Sequence, residues 1–174
     1  MNAEINIEEY IRAVPDFPKE GILFRDISPL LSSAAAFAEA TRLLTEAVAS
    51  FQPDVIAGIE SRGFIFGVPV AQSLGLPFVP IRKPGKLPCD TVSVSYDLEY
   101  GSDSLEMHRD AVKPGQRVVV IDDLLATGGT AGAAISLVKA QEAIIAGIGF
   151  VIELEGLSGR SRIETPNCVS LLTF

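Results

Sequence analysis

One histidine and two cysteines in 174 residues leave little material for metal or thiol chemistry. Cys89 and Cys168 have no metal-ligand spacing and make no disulfide framework, so they read as two free thiols of a reducing cytoplasm. A single histidine, His108, excludes most histidine-based metal sites and argues against a Ser-His-Asp triad. It lies outside the motifs below and is assigned no role. Positive charge is also scarce, with 14 Lys and Arg against 22 Asp and Glu for a net charge of −8. A broad nucleic-acid footprint is therefore not expected, and any phosphate must be met by a few placed cations. No run of about 18 apolar residues is present, so no membrane span is expected. The opening MNAEINIEEY lacks the charged-then-apolar pattern of a secretory signal. Repeats and low-complexity runs are missing too. Apolar residues make up 48% of the chain and mean hydropathy is +0.34, which suits one globular domain with a continuous core.

The most informative stretch is VVVIDDLLATGGT, residues 118–130. Val118, Val119, Val120 and Ile121 form an unbroken β-branched run, the pattern of a parallel strand buried on both faces. Asp122 and Asp123 follow where that strand is expected to leave the core. Ala126-Thr127-Gly128-Gly129-Thr130 then leads as a tight turn into an apolar-periodic helix. Backbone N–H groups at such a turn lack intrahelical acceptors and can converge on phosphate oxygens, with the helix dipole favouring the anion. The two carboxylates cannot bind phosphate themselves, but they can accept hydrogen bonds from sugar hydroxyls or face a metal ion through water. Together these parts suit a ribose phosphate. A P-loop would need a lysine after the second glycine, and a dinucleotide fingerprint would need three spaced glycines after the first strand.

Elsewhere the pattern alternates strand and helix. Residues 4–13 carry Ile7, Tyr10 and Ile11 at helical spacing, and the segment DFPKEGILFRDISPLL after them reads as an irregular surface wrap. Residues 34–51 form the clearest helix, with Phe37, Ala40, Leu44, Val48 and Phe51 as its apolar stripe and Ser33 as N-cap. Val55–Ile59 is a buried strand running into the turn Glu60-Ser61-Arg62-Gly63 and a helix to Leu74; Arg62 there could hold an anion or make a surface ion pair. Residues 77–82 suggest a third parallel strand, and the loop after it carries Arg82, Lys83 and Lys86, either a solvated face or a counter-charge for pyrophosphate. Residues 91–97 alternate as a half-exposed strand that returns over 104–108, and Glu99 and Tyr100 at the tip make a candidate mobile lid. Further strands are expected at 144–152 and, on an edge, at 169–174, with a loop or short helix at 156–163. The fold class is a doubly wound α/β domain with a mainly parallel central sheet, its ligands at the carboxyl ends of the strands.

VVVIDDLLATGGT resembles the phosphoribosyl-pyrophosphate (PRPP) motif of the type I phosphoribosyltransferases, and its LLATGGT form resembles that of their adenine-specific members. FP…G…FRDI-P-LL, IESRGFIFG, RKPGKLP and LEYG are similar to that family's segments in order, over nearly the whole chain. The resemblance implies a single domain over 1–174, with 1–33 as an N-terminal helix and base-covering hood and 34–174 as core. It implies purine salvage: transfer of the phosphoribosyl group from PRPP to N9 of adenine, giving AMP and pyrophosphate with Mg²⁺. By the same resemblance Phe24 stacks near the purine and the Arg25 main chain reads its edge. Arg62, Arg82, Lys83 and Lys86 meet the pyrophosphate, and residues 126–130 meet the 5′-phosphate. Asp122 and Asp123 take the ribose hydroxyls. Glu99 manages the purine ring proton, and Tyr100 covers PRPP. Mg²⁺ enters through PRPP and water, with no direct protein ligand assigned. In this family the turn at 60–63 often holds a strained peptide, and the basic loop commonly reaches the partner's site, implying a homodimer. Where relatives carry Gly-Gly before the next strand, this chain has Gln141-Glu142-Ala143, which leaves that turn's geometry open.

Two other readings are weighed beside this one. Use of hypoxanthine or guanine would need a different base-edge contact, such as a lysine favouring a 6-oxo group, and no matching motif supplies it. A PRPP-sensing regulator is expected to carry a basic DNA-binding extension, which the acidic balance of this sequence does not favour.

Overall fold

The unbroken apolar runs lie side by side. A computed structural model describes residues 5–97, 102–165 and 167–174. The chain divides into two units, one ending at Leu43 and one running from Leu44 to Phe174.

In the smaller unit, Asn6 caps a 3-10 turn over Ile7–Tyr10 by accepting the Glu8 N–H at 3.2 Å. The helix expected over 4–13 is not formed: Arg12–Pro15 is a strand, β1, paired antiparallel with Leu23–Asp26, β2. Pro15 explains this, because it biases the β-branched Val14 towards extended backbone and stops helical propagation. The expected irregular wrap is therefore partly a hairpin, with Val14 opposite Phe24 and an Arg12–Asp26 ion pair at 3.4 Å. Phe24 meets Phe17 edge-on, with ring centroids 5.2 Å apart. The helix α1, Ser28–Ser32, follows. The helix α2, Ala34–Ala49, begins as read: the Ser33 hydroxyl accepts the Ala36 N–H at 3.3 Å. Ala40, Leu44 and Val48 on its stripe have no exposed surface.

The larger unit is built on five parallel strands: β3 (Val55–Ile59), β4 (Phe78–Ile81), β7 (Arg117–Leu125), β8 (Ile144–Glu153) and β9 (Cys168–Thr173). Their order is β4-β3-β7-β8-β9, which makes the last strand an edge as expected. A separate antiparallel hairpin joins β5, Thr91–Asp97, to β6, Ser102–His108.

Helices cover both faces. Gly149 turns one face of β8 towards Leu44 and Val48, close enough that a Cβ there would lie 3.0–3.1 Å from Val48, Leu44 and Ile121. Its neighbours Ile148 and Phe150 point the other way, as alternation requires. They join Val118, Val120, Leu105, Met107 and the apolar side of the helix α4, Gly129–Ala140, in one buried cluster. The helix α3, Arg62–Leu74, packs on β3 and β7. The fold is thus doubly wound. From β3 the chain winds outward to β4, and from β7 it winds the opposite way to β8, so the order switches between β3 and β7. In such sheets ligands bind outside the strand ends at that switch.

At 141–143, Glu142 adopts the left-handed conformation (φ +57°) that suits glycine, and its carbonyl accepts the Gly115 N–H at 2.9 Å. The turn before β8 therefore keeps a glycine-like shape without glycine.

Candidate active site

The switch point opens into a cavity of about 400 Å³. Its lining comes from the end of β3 (Ile59, Glu60), the start of α3 (Ser61, Arg62), Lys83, and everything from Asp122 to Ala131.

One expectation changes at its floor. Asp122 and Asp123 do not follow the strand; β7 runs through both to Leu125, with Asp122 in register with Phe150 of β8. The strand can carry two acids because each has local partners. Asp123, only 5% exposed, holds the Arg62 Nε at 2.9 Å, and its N–H donates to Asp122 Oδ1 at 2.9 Å. Burial pushes the Asp122 carboxyl well above the usual range, and the neighbouring Asp123 charge adds to that. Burial also raises Asp123, against the opposing pull of Arg62. The α3 N-terminus approaches β7 closely at Gly63, where a Cβ would stand 2.7 Å from the Ile121 carbonyl. The Glu60–Ser61 peptide just before it is cis.

Above the acids the small-residue turn closes. Gly128 has φ +81° and stands as N-cap of α4 without a side-chain cap, so the first N–H groups of the helix lack an intrahelical acceptor beside the cavity. The turn is fitted from behind by the 3-10 turn Gly159–Arg162. A Cβ on Gly128 would lie 2.4 Å from the Gly159 carbonyl, and one on Gly159 would lie 2.1 Å from the Ala126 carbonyl. Arg160 anchors this backing turn by gripping the buried Glu153 with Nε and Nη2 and the Cys168 carbonyl with Nη1 at 2.8 Å. The guanidinium holds Glu153 below the ordinary carboxylate range. Gly159, Arg160 and Glu153 were not singled out from the sequence. Only SGR between two predicted strands could have hinted at them.

Glu60 was likewise missed as a functional group. Its Oε2 accepts the Arg82 Nε at 2.8 Å and the Lys83 main-chain N–H at 3.0 Å. The Arg82 Nη1 also donates to the Lys86 carbonyl at 3.2 Å. Of the residues expected to meet pyrophosphate, Arg62 and Lys83 line the cavity, whereas Arg82 and Lys86 do not. Phe24 and Arg25 sit on β2 in the smaller unit. Glu99 and Tyr100 lie outside the described residues.

Three carboxylates (Glu60, Asp122, Asp123) line the cavity against two cations (Arg62, Lys83). Among the described residues no group of three or more His, Cys, Asp and Glu side chains could hold a metal ion by itself. Two adjacent carboxylates beside an uncapped helix N-terminus would fit Mg²⁺, which keeps several waters and is usually held by one or two carboxylates plus substrate phosphates. Among the described residues no helix is long and apolar enough to cross a membrane.

The phosphoribosyl transferase domain family matches residues 26–171. An adenine phosphoribosyltransferase of Francisella philomiragia is 56% identical over 176 residues, covering all of both chains. The crystal structure of adenine phosphoribosyltransferase from Thermoanaerobacter pseudethanolicus superposes with a TM-score of 0.93 at 51% identity, over 97% of this chain and 98% of that one. The enzyme from Saccharomyces cerevisiae, complexed with an imino-altritol bisphosphate and adenine, superposes with a TM-score of 0.89 at 42% identity, over 95% and 96%. With a carboxylate pair and a glycine turn placed together by a doubly wound sheet, and with full-length similarity at this level, the chain belongs to the adenine phosphoribosyltransferase family.

Proposed function

We propose that this chain transfers the 5-phosphoribosyl group of PRPP to N9 of adenine, releasing AMP and pyrophosphate. The observation that carries the reading is the cavity at the β3/β7 switch, where paired carboxylates adjoin an uncapped helix N-terminus. In this reading the N–H groups of residues 126–130, with the Thr127 hydroxyl, hold the 5′-phosphate. Asp122 and Asp123 accept hydrogen bonds from the ribose hydroxyls. These contacts fix C1 and turn the pyrophosphate towards Arg62 and Lys83.

The C1–O bond breaks ahead of bond formation, so the sugar passes through a cation-like state, as in glycoside transfer. The electron pair leaves with pyrophosphate, and the N9 lone pair closes the new bond. Mg²⁺ bound with PRPP, near Asp122 and Asp123 through water, would supply positive charge to offset that of the pyrophosphate. Arg62 and Lys83 share that task, with Arg82 and Lys86 available from the same loop. Phe24 offers an aromatic face to the purine and the Arg25 main chain reads its edge, a contact suited to an uncharged flat base. Glu99 takes the ring proton, and Tyr100 covers PRPP so that water does not compete.

The reading includes a cytoplasmic homodimer. Two free cysteines suit a reducing compartment. Incubation with adenine, PRPP and Mg²⁺ is expected to yield AMP and pyrophosphate in equal amounts by chromatography. EDTA should stop the reaction and excess Mg²⁺ restore it. Activity indifferent to EDTA would remove Mg²⁺ from the account, and the absence of AMP would remove the reaction.

A further inference from the structure

Lys83 stands where two parts of the molecule meet. It lines the cavity, yet its ammonium is turned to the β5–β6 hairpin, where it pairs with the Asp103 carboxylate and donates to the Tyr96 hydroxyl at 3.0 Å. Tyr96 and Asp103 are direct partners across the hairpin, and the Tyr96 hydroxyl donates to Asp103 Oδ2 at 3.3 Å. The same hydroxyl accepts from Thr130 Oγ1, also at 3.3 Å. Four side chains thus form one run of hydrogen bonds from the phosphate turn to the basic loop. Hydrogen bonding from Lys83 holds Asp103 below the ordinary carboxylate range. Burial works against the Lys83 charge, but Asp103 and Tyr96 outweigh it and keep the ammonium above its usual range. Both groups are therefore charged at neutral pH, and two of the three ammonium N–H bonds are committed to the hairpin. A pyrophosphate that uses Lys83 must draw it away from a carboxylate.

We propose that Asp103 is a positioning residue of the reaction: it restrains Lys83 on the hairpin, so that a pyrophosphate-bearing ligand binds by taking Lys83 from it, while Tyr96 ties the hairpin to the phosphate turn through Thr130. This rests on the PRPP reading above and deepens it. Asp103 then weakens the hold on PRPP and eases the departure of pyrophosphate, but leaves AMP, which has no pyrophosphate, unaffected. The pair is partly open to solvent, at 37% for Lys83 and 32% for Asp103, so the competition is modest. Exposed pairs of this kind correspond to roughly a two- to fivefold change in affinity.

Titration calorimetry of PRPP with Mg²⁺, without adenine, tests this on four proteins: the parent, Asp103→Asn, Lys83→Gln and the double variant. The expected result is tighter PRPP binding by Asp103→Asn, by roughly two- to fivefold, with AMP affinity unchanged. Lys83→Gln should bind PRPP more weakly, and adding Asp103→Asn to it should change nothing. Equal tightening in both backgrounds would mean a simple through-space charge effect and would overturn the restraint. Unchanged or weaker PRPP binding by Asp103→Asn would overturn it as well. A parent protein that binds no PRPP defeats the functional reading itself, and the restraint with it.

Discussion

Gly159→Ala is expected to lower kcat/KM for PRPP by about a hundredfold, although Gly159 does not line the cavity. The methyl group would stand 2.1 Å from the Ala126 carbonyl, a backbone atom of the phosphate turn with no rotamer to yield. Either the 3-10 turn backs away or the phosphate turn is pushed into the cavity. Arg160 resists the first, because its bonds to Glu153 and the Cys168 carbonyl pin the 3-10 turn to β8 and β9. The displacement therefore falls on the N–H groups expected to hold the 5′-phosphate. A shift of about 1 Å in a positioning group can reduce rate about a hundredfold. Overpacking of this kind also destabilises by about 1–3 kcal/mol, so melting is measured beside kinetics at a temperature where the variant is folded. Kinetics within threefold of the parent would show that the two turns are not mechanically joined.

The second large effect separates stability from function at one residue. Asp122→Asn should lower kcat/KM for PRPP by about 10- to 100-fold, the range for losing a charged acceptor of a hydrogen bond. The same change should raise the melting temperature of the ligand-free protein at pH 7 to 8. Burial and the Asp123 charge raise the Asp122 pKa in the folded chain. The folded protein thus takes up a proton at a pH where the unfolded chain still holds its carboxylate ionised, and the ionised form opposes folding at neutral pH. That opposition fades as pH falls through the raised pKa towards the ordinary carboxylate value. The gain in the variant should accordingly shrink on acidification. A gain that grows at low pH, or a variant less stable at pH 8, would contradict the cause assigned to the shift. Hydrogen bonds donated by substrate hydroxyls would offset the same cost.

Much of this arrangement was legible in the sequence, for physical reasons that differ by element. Val55–Ile59 and Val118–Ile121 are apolar on both faces, and only a strand covered on both sides by helices needs that. The turn at 126–130 was legible because its glycines, hydroxyls and following helix each serve the same end. The acids misled in one respect. Two adjacent carboxylates read as the end of burial, whereas Arg62 and local N–H groups let β7 continue to Leu125. Helical spacing at Ile7, Tyr10 and Ile11 was overridden by Pro15 and by pairing with β2. Contacts between residues far apart in the chain left no local signal. Glu60 with Arg82, Asp103 with Lys83 and Gly159 with Ala126 are set by how the strand ends converge. Alternation over 91–97 announced a half-exposed strand but not which neighbour its tyrosine would meet. The positioning of the cations was thus the part that only three dimensions supplied.

The central claim is tested most directly by pyrophosphate release from PRPP and Mg²⁺ with adenine, hypoxanthine, guanine, xanthine, uracil and orotate supplied separately. Release with adenine alone, with AMP as the second product, is the result the proposed reaction predicts. Release with another base in its place would contradict the assignment of Phe24 and Arg25, and no release with any base would contradict the reaction.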